Sequence, residues 1–237
     1  MIIQYIKNLT LVRFLRSWFT YHKYIKKNFL KIFHRKKLKK TKNTGLKVFI
    51  PMIETKHYQY FQVLAIAKAL ELRGAQVLIL LCDSSLNGCE IKSVKSKNNP
   101  CLECNFSKKN IFPHMDFDTV NISDYIQNER FNIDKLSVKI FNDSPGEFFY
   151  KGVEIMKMVG ESILRYYYGK VPDLPNNQLA KVTESHINTS IVNIEVATFV
   201  VEHWKPDIFL GNMLVYSSWN PYYQVAKNNN ILKMSNL

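Results

Sequence analysis

LKVFIPMIETKHYQYFQVLAIAKALELRGAQVLILLC, residues 46–82, decides the fold of this chain. Val48–Ile50 and Val77–Leu81 are near-continuous apolar runs, the pattern of parallel strands buried on both faces. Between them Val63, Ile66, Ala67 and Leu70 fall on one helical stripe, while Lys68 and Glu71 point elsewhere. Arg73 and Gly74 supply a basic last turn and a C-terminal stop. A strand, a helix and a second strand at this spacing make a right-handed crossover.

Outward from that unit the same pattern returns. DTVNI (residues 118–122) suits a third strand, and residues 144–205 read as mostly helical with a break at 169–177. Ile187, Ile191, Ile194, Thr198 and Val201 keep one face through the last of these helices. Asp207–Leu210 is a further buried strand. Asn220-Pro221 then forms a cap followed by proline at the first helical position, with the helix running through Tyr222–Lys227. Ile231–Met234 closes the pattern as a short strand. The expected architecture is an α/β fold, an open and mostly parallel Rossmann-like sheet with helices on both faces. Ligands in such sheets sit beyond the carboxyl ends of the strands. Three loops lie there: 52–59, 82–104 and 211–220.

The net charge of +14 is not spread over the chain. Residues 1–44 hold 13 Lys and Arg and no acid, which leaves 20 basic against 19 acidic residues in the body, 45–237. The chain therefore divides into a basic arm (1–44) and one α/β domain (45–237). On a helix, Leu11, Phe14, Leu15, Trp18, Ile25, Phe29, Ile32 and Phe33 share a broad face opposite Arg13, Arg16, Lys23, Lys27 and Lys31. This segregation predicts a basic amphipathic N-terminal helix lying on an anionic lipid surface through residues 1–42. Packing against its own domain and an RNA-binding arm are the alternatives, with nucleic acid the less favoured partner. No hydrophobic stretch near the start is long enough for a secretory signal or a membrane span. Four cysteines clustered within one segment do not make a secreted disulfide framework. The expected place is the cytoplasm, at the inner face of the membrane.

The loops offer three groups of chemical side chains. Glu54, Lys56, His57 and Tyr58 open the first helix, and an imidazole there suits general base work or a sugar hydroxyl. There is no GxGxxG, GxxxxGK, GxSxG or HExxH, which removes a dinucleotide fingerprint, a P-loop, a nucleophile elbow and a zincin helix. Cys82, Cys89, Cys101 and Cys104 are spaced C-x6-C-x11-C-x2-C, whose last pair is half of a zinc ribbon. Structural zinc on all four thiols is one reading; reduced thiols and an iron–sulfur centre are others. After the fourth strand come Asn212, Tyr216, Ser217, Ser218 and Trp219, groups that suit sugar recognition or packing alike.

With His57, LAIAKALELRGAQV, LCDSSLNGCE, CLEC, VGESILRYYYGK and KPDIFLGNMLVYSSWNP in order, the body resembles the N-terminal half of a bacterial capsule or surface-polysaccharide glycosyltransferase with two Rossmann domains (GT-B). That resemblance implies sugar transfer from a nucleotide-sugar donor to a glycan or lipid-linked acceptor. It places His57, the candidate catalytic residue, near the acceptor, with Asn212 and Tyr216 lining the cleft; Glu54 and Tyr58, beside His57, are further candidates for substrate binding. It also implies that a second polypeptide supplies the donor-binding half, or that the chain is inactive alone. The alternative is a noncatalytic membrane-associated module that binds a glycan or a protein.

Overall fold

The computed structural model describes residues 43–53, 59–92, 101–112, 116–126, 148–169, 176–211 and 213–235. In chain order the elements are β1 (Lys47–Met52), α1 (Gln59–Leu72), β2 (Gln76–Leu81), α2 (Cys101–Ile111), β3 (Asp118–Asn121), α3 (Ile122–Ile126), β4 (Phe149–Tyr150), β5 (Val153–Glu154), α4 (Ile155–Tyr166), α5 (Asn176–His203), β6 (Ile208–Gly211), α6 (Tyr216–Asn228) and β7 (Leu232–Ser235). The arm, 1–42, lies outside the described residues, and so does its expected helix.

Five strands form one parallel sheet in the order β3-β2-β1-β6-β7. The order reverses direction between β1 and β6, so a topological switch point lies beside the carboxyl end of β1. The α/β, Rossmann-like expectation is met. β4 and β5 make a separate two-stranded antiparallel hairpin.

Strand alternation sorts the core into two halves. Val48, Ile50 and Met52 join Val77, Ile79, Leu81 and Leu210 under α1, with Val63, Leu64 and Ala67 facing them. Phe49, Leu80 and Phe209 turn to the opposite face and meet Ile155, Met158, Ile187, Ile191, Ile194 and Tyr222. The first helix stops as expected: Gly74 takes φ 91°, its N–H donates to the Glu71 carbonyl at 2.9 Å, and the Ala75 N–H to that of Leu70 at 3.1 Å. Glycine takes this left-handed cap at no Cβ penalty. Glu71, expected outside the stripe, is buried and receives the Lys68 ammonium at 2.6 Å.

Two expectations change here. α5 is buried on every side from residue 186 to residue 197, not on one face. A helix sandwiched between the sheet, α4 and α6 has no solvent side, and its polar residues must bond inside the protein. Asn220-Pro221 is not the start of the last helix either: α6 begins at Tyr216 and carries Pro221 inside it. The N–H that proline lacks would have bonded the Ser217 carbonyl four residues back. Asn193 Nδ2 donates to that carbonyl at 3.4 Å and to the Ser218 carbonyl at 3.2 Å instead.

A candidate acid–base site at the carboxyl edge of the sheet

Two loops leave the carboxyl edge on either side of β1: residues 82–92 after β2, and the segment from Gly211 into α6 after β6. Each holds a non-glycine residue in the left-handed region, Ser84 at φ 79° and Tyr216 at φ 69°. Such backbone costs on the order of 1–3 kcal/mol and is held only where surrounding contacts over-determine it.

Beside Tyr216 those contacts are polar and buried. Glu90, from the first loop, reaches the N-terminus of α6. Its Oε1 accepts from Ser162 Oγ at 3.0 Å, Ser217 Oγ at 3.2 Å and the Ser218 N–H at 3.4 Å, while Oε2 accepts from Ser218 Oγ. Glu90 is 5% exposed, and Ser162, Ser217 and Ser218 are fully buried. A carboxylate suits this position because the first-turn N–H groups of a helix present partial positive charge. The carboxylate has no buried cation beside it in these bonds; four hydroxyl and N–H donors from two helices stabilise it.

His186 completes the group from α5. Its Nδ1 lies 2.7 Å from Ser217 Oγ, and the ring is 2% exposed. Burial pulls its pKa below the ordinary histidine value, against the nearby Glu90, which raises it. Ser217 has one proton to give. With Nδ1–H donating to Ser217 Oγ and Ser217 O–H donating to Glu90, these two contacts run in a single direction. The order His186, Ser217, Glu90 is a path for a proton. Gly88 brings the loop this close to α5: its N–H donates to Thr189 Oγ1 at 2.8 Å, and Thr189 Oγ1 donates to its carbonyl at 3.0 Å. A Cβ on Gly88 would stand 2.8 Å from both His186 Nδ1 and the Ser185 carbonyl. Asn193, bonded by Tyr222 Oη at 2.8 Å, fixes the start of α6 from below.

The expected site residues fare unevenly. Glu54, His57, Tyr58 and Asn212 fall outside the described residues. Tyr216 is described, half-buried, as the strained first residue of α6. None of Cys82, Cys89, Cys101 and Cys104 is in a disulfide, and among the described residues no three His, Cys, Asp or Glu side chains group as a metal site. Cys82, Cys101 and Cys104 stand instead within electrostatic reach of one ammonium, that of Lys108. Glu90, His186 and Ser162 were missed. The available signal was HINTSIVNIEV (residues 186–196), where no Lys or Arg occurs and polar side chains recur inside an apolar helix.

The sheet order and the site at its switch point define a Rossmann-like α/β protein. Solved structures share that fold. A CDPS from Fluoribacter dumoffii superposes with a TM-score of 0.50 at 10% identity, covering 81% of this chain and 88% of that one. AlbC, a cyclodipeptide synthase from Streptomyces noursei, gives 0.43 at 9% identity, covering 81% and 95%. The tyrosyl-tRNA synthetase of Archaeoglobus fulgidus, complexed with L-tyrosine, gives 0.39 at 11% identity, covering 84% and 54%. At these identities the likeness is one of fold. No protein-family model matches the sequence, and no curated protein sequence matches it. The glycosyltransferase expectation is thereby corrected, together with its capsule and surface-polysaccharide setting. A helix–RG–strand unit is common to Rossmann-like folds and does not single out sugar transfer. Among the described residues no helix is long and apolar enough to cross a membrane.

Proposed function

We propose that this chain performs acyl transfer on aminoacyl groups, moving an activated amino acid from an ester onto an amine to form a peptide bond. The observation that carries the reading is the likeness in fold to the Fluoribacter dumoffii CDPS, at a TM-score of 0.50 over 88% of that chain. Attack of an amine on an acyl ester needs a base that is neutral at working pH and a place for the proton to go. His186, kept neutral by burial, is that base at Nε2, and as Nε2 takes the proton of the amine the Nδ1 proton passes to Ser217 and that of Ser217 to Glu90. The basic arm suits an RNA-borne aminoacyl ester, since 13 Lys and Arg without an acid are a phosphate-binding composition. Attachment of the same arm to anionic lipid is a second reading, favoured by the segregation of its aromatic and basic residues.

The test is direct. Full-length protein is mixed with aminoacyl-tRNA bearing labelled amino acids, and linear and cyclic dipeptides are measured by mass spectrometry. Dipeptide formation is the expected result, reduced about 10²–10⁴-fold in His186→Asn while the variant remains folded. Ester consumption no faster than the spontaneous rate, with no dipeptide, would overturn the reading. A chain beginning at Thr44 separates the partners of the arm: weaker, salt-sensitive RNA binding than the full chain supports the RNA-borne donor. Loss of liposome co-sedimentation in that same chain supports the lipid surface.

A further inference from the structure

A second cluster of reactive groups stands at the carboxyl edge, separate from Glu90 and His186. Cys101 is the first residue of α2, an eleven-residue helix, and Cys104 and Lys108 follow it at three and seven positions. Those spacings put all three on one helical face. That face lies over the end of β2, because Lys108 is in electrostatic reach of Cys82, Cys104, Asp83 and Cys101. Cys101 is half-buried and Cys104 is buried. The Lys108 ammonium nitrogen is inaccessible to solvent and has no hydrogen-bond partner among the described residues. Beneath it Asp83 is held by the hydroxyls of Ser123 and Ser85, the latter at 2.5 Å, and Asn105 of α2 donates to Ser84 at 3.1 Å. The lysine is thus buried among thiols, with the nearest carboxylate already bonded by two hydroxyls.

We propose that Cys101 and Cys104 are a redox-active dithiol that exchanges with disulfides, and that Lys108 holds the attacking thiolate. Three independent features converge on it. Cys-x-x-Cys at the start of a helix places the first sulfur at the positive end of the helix dipole. The Lys108 amine stands one or two turns along the same face, within electrostatic reach of both sulfurs, and burial pulls its pKa down. Exposure is divided between them, Cys101 half-buried and Cys104 buried, an asymmetry that exchange can use. Cβ atoms at i and i+3 of a helix are about 5–6 Å apart. A disulfide needs about 3.5–4.5 Å. Cys101 is the first residue of the helix, ahead of any closed turn, and adjustment of its backbone closes that difference.

The chemistry balances with a disulfide R–S–S–R as oxidant. The Cys101 thiolate attacks one sulfur, forming a mixed disulfide and releasing RS⁻. The Cys104 sulfur, losing its proton, attacks Cys101 Sγ and expels the second RS⁻. The two protons of the cysteine thiols end on the two RS⁻ leaving groups; the protein is oxidised by two electrons and the disulfide reduced by two. This inference does not rest on aminoacyl transfer and stands or falls separately from it.

The experiment uses the full chain equilibrated across ratios of reduced to oxidised glutathione, quenched by alkylation, digested with trypsin and weighed. Residues 98–108, NNPCLECNFSK, form one tryptic peptide that carries both cysteines. The expected result is a single two-electron transition in which this peptide loses two hydrogens and escapes alkylation. Cys101→Ser abolishes the transition, and Cys104→Ser arrests the chain as a glutathione mixed disulfide on Cys101. Lys108→Met slows alkylation of Cys101 by about three- to tenfold, and Lys108→Arg restores it. Full alkylation of Cys101 and Cys104 at every ratio would overturn the proposal. So would a bridge to residues 74–92, the tryptic peptide of Cys82 and Cys89, or equal alkylation rates in the wild type and Lys108→Met.

Discussion

Two buried carboxylates flank α5, and the protein stabilises them by opposite means. Glu90 sits at the carboxyl edge, 5% exposed, among three serine hydroxyls and the N-terminus of α6. Glu195 sits on α5 itself, 6% exposed, where Tyr150 donates to Oε1 at 2.5 Å and Lys151 to Oε2 at 2.8 Å from the β4–β5 hairpin. One carboxylate has neutral donors only. The other has a cation, but that cation is 46% exposed and shared with water. The hydroxyl cage couples a loop and three helices, whereas the ion pair fastens one hairpin. Proton movement is also possible only in the first. Its serine hydroxyls can turn round, while burial and Glu195 together hold the Tyr150 phenol far above its ordinary titration range.

The largest effect belongs to Glu90→Ala. Ser218 Oγ and the Ser217–Ser162 pair lose a common acceptor inside the protein, at about 1–3 kcal/mol for each donor left without one. A loss on the order of 3 kcal/mol is expected, read from the midpoint of urea unfolding of the full chain. Glu90→Gln keeps an acceptor oxygen and should cost clearly less. Equal losses for the two variants would break the distinction between a cage of donors and a simple packing site. Gly88→Ala comes next. The Cβ meets the backbone carbonyl of Ser185 at 2.8 Å, and a helix carbonyl cannot swing away as a side chain can. The cost expected is about 1–3 kcal/mol, from overpacking. Because the shift falls on the loop that carries Glu90, dipeptide formation should fall along with stability. A tolerated alanine with full stability would show that the loop does not need its close approach to α5.

The pH profile sharpens the comparison further. His186 has its folded pKa lowered by burial, so the unfolded chain binds the proton more readily. Stability from this group is fully present above the unfolded value of about 6.5 and declines as the pH falls below it, until the folded pKa is reached. Unfolding midpoints measured from pH 7.5 down to pH 5 should therefore decline in the wild type. His186→Asn, which keeps a polar atom near Ser217 and cannot titrate, should flatten that decline. An unchanged slope in the variant would mean that the imidazole does not change charge on unfolding in this range.

The contrast between the two carboxylates also explains how much was legible in the chain. β1, α1, β2, β6 and β7 were readable because each is a local pattern: an apolar run, a 3.6-residue stripe, an Arg-Gly stop. The chemistry was not, because its members are far apart in sequence. Glu90, Ser162, His186 and Ser217 come from four segments and meet only once α4, α5 and α6 pack together. Local rules misled where packing overrode them. Asn220-Pro221 has the composition of a helix start, yet Asn193 takes over the carbonyl bond that the proline ring removes. The stripe on α5 was too narrow by half, since Asn188, Thr189, Ser190 and Asn193 are polar residues fully inside the protein. CLEC was visible as a pair, but Lys108 beside it lies outside any metal-spacing rule.

The smallest effect is expected at Lys151, and it is the one that tests the comparison from its other end. Lys151→Met removes the cation from Glu195 and leaves the Tyr150 hydroxyl on Oε1. With nearly half of the lysine side chain in water, screening limits the loss to about 0–1 kcal/mol, smaller still at high salt. Tyr150→Phe takes away the half-buried phenol donor instead and should cost somewhat more, about 0.5–1.5 kcal/mol. If Lys151→Met proved as damaging as Glu90→Ala, the ion pair and not the hydroxyl cage would be the stronger anchor of α5. The carboxyl-edge network would then owe its burial to the packing around it, and its place as the mechanical link between loop and helices would pass to the hairpin.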